Sequence, residues 1–228
     1  MAMVKFVKIL ICISIVWMLD LPLSAEEVVR YQEGSKANFF LDKSFQTQHS
    51  DSIMLLLDSA IFHSLKEQNA DIYIESLVEK GLEFVKRQNG DSANKYLKNA
   101  VFSSRDKAPA YPILAKAHHQ YGSYLSDKNE YETALNHLDS ASQLYYNNGD
   151  TLSYAKMISL MGGVHDNNGS VGKALKFFLE ASEIYESYGE HAIHAGIINN
   201  VAVIYKKLGD LNGALEYYDK SIKLLSDT

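Results

Sequence analysis

Small residues recur along this chain at one fixed interval. Ala134, Ala174 and Ala214 are evenly spaced, and Ala141, Ala181 and Ser221 repeat the same step. Gly122, Gly162 and Ala202 keep it too, as do the turn-forming residues Asn129, Gly169 and Gly209. Four columns in register over three units constrain the fold more than any other feature. A period of about 40 residues belongs to arrays in which each unit buries its apolar face only against its neighbours. One unit earlier, Gly81, Ala93 and Ala100 precede Gly122, Ala134 and Ala141 by a step one position longer, with Asn89-Gly90 at the turn. Earlier still, Leu57 and Ala60 lie one interval before Leu97 and Ala100, inside the apolar stretch Ile53 to Leu57, which reads as the second helix of a degenerate unit.

Inside a unit the apolar residues follow helical spacing, as in Ile198, Val201, Ile204 and Tyr205 and then Leu215, Tyr218, Ile222 and Leu225. Each unit therefore reads as two helices joined by a Gly-Asp or Asn-Glu turn. The small residues at Gly162 and Ala202 in the first helix and at Ala174 and Ala214 in the second let the two axes approach closely. The column Ala141, Ala181, Ser221 admits the first helix of the next unit, so hairpins stack. The expected fold is all-α, an α-solenoid of antiparallel helical hairpins. Its units run 71–110, 111–150, 151–190 and 191–228, after a degenerate unit at 51–70. Residues 26–50 carry no clear period, although Phe39, Phe40, Leu41 and Phe45 offer the apolar face of a short helix.

Val201-Ala202, Tyr205, Gly209-Asp210, Ala214-Leu215, Tyr217-Tyr218 and Ser221 fall in the order of the tetratricopeptide repeat, and over residues 71–228 the chain resembles that family. The long period resembles a subclass with longer helices and repeats of about 40 residues, found in bacterial signalling and sensor proteins. Departures are His165 where the family places a Tyr, Leu125 at the same column with Tyr124 beside it, and no aromatic residue at the family's Trp column. The resemblance implies a right-handed superhelix that binds a protein or peptide along the concave face made by the first helices. Carried over by register, that face falls on Lys116, His119 and Ser123, then Lys156, Ser159 and Asp166, then Asn199 and Lys206. Ser126, Asp127, Gly163, Asn167, Gly196, Val203 and Lys207 lie at the remaining columns, and the unit before them places Glu75, Val78, Leu82, Val85 and Lys86 on the same face. The paired Lys and Asn with which some relatives clamp a terminal carboxylate are not reproduced, since those columns hold His119, Ser123, Ser159 and Gly163. Lys116, Lys156, Lys206 and Lys207 could still grip an acidic segment; the alternative is a solvated face.

Other function classes find little support. A chain of 228 residues that is 46% hydrophobic, with three prolines, supplies a continuous core. Its 22 basic and 28 acidic residues give a net charge of -6 without a Lys/Arg block, which argues against nucleic acid as a partner. No Gly-rich phosphate loop or nucleophile elbow is present and the carboxylates are spread along helix surfaces, so neither catalysis nor a cofactor is expected. Of the eight histidines, His191 with His194 and the neighbours His118 and His119 invite a metal reading. Two histidines with no completing Cys or carboxylate are too few ligands for a closed site, and His165 occupies a core column. No metal is expected. Most of the tyrosines, among them Tyr145, Tyr185, Tyr205 and Tyr218, stand at packing columns.

The two ends carry separate expectations. Lys5 and Lys8 precede an apolar run from Ile9 to Leu19, then Pro22 and Leu23-Ser24-Ala25, the pattern of a secretory signal cleaved after Ala25. The run is about half the roughly 20 residues of a spanning helix; an uncleaved anchor is the alternative. Cys12, the single cysteine, lacks the small residue that a lipoprotein signal places ahead of it, so a mature chain would hold no cysteine and no disulfide. The expected location is exported, periplasmic or extracellular. Gly149 and Gly189, which separate repeats, predict another glycine just past Thr228, so a last hairpin would expose Leu215, Tyr218, Ile222 and Leu225. A fragment of a longer protein, an edge that docks a partner or a second copy, and a frayed end are the three explanations. The resulting expectation is a non-enzymatic scaffold forming the exported sensing portion of a bacterial signal-transduction protein. The alternative is a self-assembling module or accessory subunit that docks through its C-terminal edge.

Overall fold

The computed structural model describes residues 34–226, and the proposed signal or anchor at 1–25 lies outside them. Among the described residues there are ten helices and no strand. None of these helices is long and apolar enough to cross a membrane. The chain divides into two compact units at Ala93 and Asn94.

The first unit holds α1 (Lys36–Gln46), α2 (Ser50–Glu67), α3 (Ala70–Lys86) and the start of α4 (Gly90–Lys107). α1 occupies the segment that showed no period. Its N-terminus is held from a distance: the backbone N–H groups of Lys36 and Ala37 donate to Glu67 Oε1 at 3.0 and 3.3 Å, and Ser35 caps Asn38. A carboxylate at a helix N-terminus satisfies orphan donors and complements the helix dipole. Ala37, Phe39, Phe40 and Leu41 then bury against Leu56, Leu57, Ala60 and Ile72. Phe45, expected on this face, is instead 55% exposed. The buried residues of α1 are Ala37, Phe39, Phe40, Leu41 and Ser44, and Phe45, in its last turn, lies outside the apolar cluster that α1 forms with α2. At the other end of the unit, buried Glu83 accepts from Ser50 and pairs with Lys86 and Arg87, while Arg87 also reaches Asp51 at 3.0 Å. Burial would raise the Glu83 carboxyl, but the hydrogen bonds from Ser50 and Lys86 and the charges of Lys86 and Arg87 outweigh it and hold it below the ordinary value.

In the second unit the sequence interval becomes geometry. α5 (Tyr111–Asp127), α7 (Thr151–Asn167) and α9 (His191–Lys207) begin one full interval apart, and so do α6 (Tyr131–Asn147), α8 (Val171–Ser187) and α10 (Leu211–Ser226). Each packs on the next in the chain, and α5 also touches α7. Helices end in one repeated device. The N–H groups of Glu130, Asp150, Ser170, Glu190 and Asp210 each bond back to the carbonyl five residues earlier at 2.8–3.1 Å, closing the carbonyls a helix end leaves open. This requires a left-handed residue, supplied by Gly169 at φ 74° and, at the same column one unit earlier, by Asn129 at φ 61°. Asn tolerates that conformation better than other side chains do.

Close approach of helices explains the small columns. A Cβ on Gly122 would stand 3.0 Å from Leu138 Cγ, and one on Gly162 would stand 3.0 Å from the Phe178 ring. Ala134, Ala141, Ala174, Ala181 and Ala202 are buried. The core between α7 and α9 joins Ile158, Phe178, Tyr185, Ile197, Val201 and Ile204. His165, at the column where a Tyr was expected, is buried and stacked on Phe177 at 5.3 Å.

Candidate functional site

The second unit carries a groove of about 360 Å³ lined by α5, α7 and α9. Ser123, Ser126 and Asp127 come from α5, Ser159, Leu160, Gly163, Val164, Asp166 and Asn167 from α7, and Asn200 and Val203 from α9. Leu138 of α6 and Phe178 of α8, both buried, complete it. These residues share a face because positions three and four apart in a helix project to the same side, and the first helices of successive units repeat in register. The lining offers hydroxyl, amide and carboxylate groups over an apolar background, the mixture with which ligand clefts fix orientation.

Two features shape it. A Cβ at Gly163 would meet nothing within 4 Å, although Gly162 beside it is packed tightly. A glycine in a helix interior costs about 0.5–1 kcal/mol relative to Ala, so Gly163 keeps the groove open at a cost that no neighbouring contact requires. At the α9 side, Lys207 Nζ donates to both oxygens of Asp166 at 2.6 and 2.7 Å. Lys207, read above as available to an acidic ligand, is thus engaged by a carboxylate of the preceding repeat.

The other candidate residues divide. Ser123, Ser159 and Asp166 meet in the groove, whereas Lys116, His119 and Lys156 lie nearer the N-terminal ends of α5 and α7 and do not line it. His119 is pushed down to about 4, first by burial and then by the charge of Lys156, which places these two close together. Asn199 and Lys206 are exposed and also outside the lining, where the adjacent Asn200 takes part instead. At the edge, Leu215, Ile222 and Leu225 are 61%, 65% and 55% exposed, and Tyr218 is half-buried.

The family follows from the sequence read over this architecture. Residues 57–227 match the SNAP family, soluble NSF attachment protein. The chain belongs to the SNAP family. Its repeats are tetratricopeptide-like, as the motif order implied. Solved structures share the fold at low identity. BtubC from P. vanneervenii is 14% identical with a TM-score of 0.75, over 84% of this chain and 79% of that one. Kinesin light chain TPR-like repeats from Podosopora anserina are 14% identical with a TM-score of 0.71, over 85% and 96%. A Rap protein complexed with competence and sporulation factor is 18% identical with a TM-score of 0.66, over 84% of this chain and 54% of that one, so the chain spans about half its length. Among curated proteins none matches the sequence.

In this SNAP-family chain the histidines singled out above go separate ways. His194 is buried with Nε2 3.0 Å from Ser182 Oγ, while His191 is exposed. His118 faces His137 across a hairpin. No group of three or more His, Cys, Asp or Glu is placed to hold a metal among the described residues. Sequence reasoning missed Asn200, Leu160, Val164, Leu138 and Phe178 as lining. Asn200 follows Asn199 directly, and register alone does not separate neighbours on an exposed helix face. Leu138 and Phe178 belong to second helices, which a count along first helices leaves out.

Proposed function

We propose that this chain is a non-enzymatic scaffold that binds an extended segment of another protein in the α5–α7–α9 groove. The observation that carries the reading is Gly163, a helix-interior glycine that keeps open a groove lined by Ser123, Ser159, Asn167 and Asn200. Hydroxyl and amide groups at this spacing can pair with the N–H and C=O groups of an extended backbone, and Lys116 and Lys156 bias the approach toward acidic residues. A Rap protein of the same fold is complexed with competence and sporulation factor, which is consistent with ligand capture by such arrays. The test is selection of displayed random peptides on the full chain, followed by affinity measurement on Gly163→Trp. The side chain added there enters open space, so the fold should survive while affinity falls at least about tenfold, roughly 1.4 kcal/mol. Equal binding by the variant removes the groove from the reading.

We further propose that the chain is exported and senses its ligand outside the cytoplasm. The support is the sequence of Lys5, Lys8 and the run from Ile9 to Leu19. Intact mass of protein made in its own host distinguishes a chain starting at Glu26 from an uncleaved one.

A second reading, docking through the C-terminal edge, draws on one observation. α10 carries Ile222 where α6 and α8 carry the buried Ser142 and Ser182. This apolar residue faces solvent at a column that in the covered helices is small and polar.

A further inference from the structure

Outside the groove, His118 of α5 and His137 of α6 point their rings at one another. Their Nδ1 atoms are 3.1 Å apart and both side chains are partly buried, with the Tyr121 ring 4.9 Å from the His137 ring. The sequence alone suggests a different pair, His118 with its neighbour His119, whose side chains leave the helix about 100° apart. The hairpin supplies the closer pairing, because it places residue 137 beside residue 118.

We infer that His118 and His137 form a two-nitrogen site for a borderline divalent transition ion such as Zn²⁺, Ni²⁺ or Cu²⁺. Two imidazole nitrogens bound to zinc at about 2.0–2.1 Å stand roughly 2.9 Å apart at a right angle and about 3.4 Å apart at the tetrahedral angle. The observed separation lies between these values, so the two Nδ1 atoms can share one ion once both rings carry their proton on Nε2. Imidazole is a ligand of choice for these ions, and a hard cation such as Mg²⁺ or Ca²⁺ takes oxygen instead. The pair supplies two nitrogens, fewer than the four ligands of a closed structural site. The site is therefore open rather than a closed structural centre. An ion bound here ties α5 to α6 within one hairpin and stabilises the folded chain by mass action, because the two histidines meet only when the hairpin is formed. Without an ion the same contact is a hydrogen bond from one protonated Nδ1 to the other.

Calorimetric titration of the full chain with ZnCl₂ and with NiCl₂ tests the site, alongside thermal unfolding with and without metal. The expected result is one ion bound and a raised unfolding midpoint. His118→Gln and His137→Gln should each weaken binding at least about tenfold, as loss of even an outer-shell partner does, and should abolish the midpoint shift. His119→Gln and His191→Gln should leave both unchanged. A variant that fails to fold is identified by its circular dichroism, and the test then rests on Ni²⁺-induced broadening of the His118 and His137 ring resonances in the unaltered chain. Binding that persists in both variants, resonances that do not broaden, or no binding at all would overturn the assignment and leave the pair as a hydrogen bond.

Discussion

Gly162 and Gly163 are neighbours with opposite prospects. At Gly163 a methyl group enters open space, so Gly163→Ala should raise stability by about 0.5–1 kcal/mol through helix propensity alone. At Gly162 a methyl group meets the ring of Phe178, which is buried and held by Ile197 and Val201. Overpacking of about 1–3 kcal/mol should exceed the propensity gain, so Gly162→Ala should lose roughly 1 kcal/mol. Urea unfolding of the two variants decides both, and two changes of the same sign would contradict the packing described. His119 gives a pH dependence at the same scale. Its folded value of about 4 lies below the 6.5 of free imidazole, so as pH falls the unfolded chain takes up the proton first. Its contribution is intact above pH 6.5 and is lost as pH falls toward 4, with a slope of up to about 1.4 kcal/mol per unit. His63, His165 and His194 are also lowered, chiefly by burial, and act with the same sign. The difference between the chain and His119→Gln, followed by unfolding from pH 7.5 to 4.5, isolates the one residue. A variant with the same acid slope would show that His119 is not held neutral.

At the scale of elements, what was legible in the sequence tracks how local the cause is. The hairpins of the second unit could be read directly because each carries its own turn residue, its own small columns and its own apolar stripe. α1 was legible only as an apolar face, because its start is held by Glu67, 31 residues beyond Lys36, as well as by the local cap Ser35, and no local pattern reports a carboxylate that far along the chain. Phe45 went astray for a related reason: four apolar residues fit a helical face in more than one rotation, and only the partner helix selects one. Glu67→Ala should therefore act on α1 before anything else. Loss of the bonds to Ser35, Lys36 and Ala37 should cost about 1 kcal/mol, the usual scale for a helix N-terminal cap. Amide exchange should quicken at Phe39 and Phe40 while α5 to α9 keep their protection. Uniform acceleration throughout the second unit would mean that Glu67 supports more than the α1 terminus. The candidate site was half legible on the same principle: column counting found Ser123, Ser159 and Asp166 because first helices repeat in register, but it could not foresee that Lys207 would be taken by Asp166.

For the molecule as a whole, nearest-neighbour packing makes the stability of a helix depend on how many faces are covered. α9 has α8 on one side and α10 on the other, whereas α10 packs on α9 alone among the contacts described. Ala214 and Ser221 bury that inner face, and Ser221 Oγ donates to the Ala195 carbonyl at 2.8 Å. The outer face keeps Leu215, Ile222 and Leu225 in solvent. Such a face has two opposite consequences. It contributes little to the stability of the isolated chain, so Ile222→Ser, which installs the residue that α6 and α8 carry at this column, should change the unfolding free energy by less than about 0.5 kcal/mol. The same substitution removes apolar area from any docked surface, so association through this edge should weaken. Sedimentation over a wide concentration range, run on the chain and on Ile222→Ser, separates the two effects. A mass that rises with concentration in the first and stays monomeric in the second assigns the edge to contact between copies. A monomer in both removes contact between copies through this edge, and an unfolding free energy that drops by several kcal/mol would mean that Ile222 is packed within the chain after all.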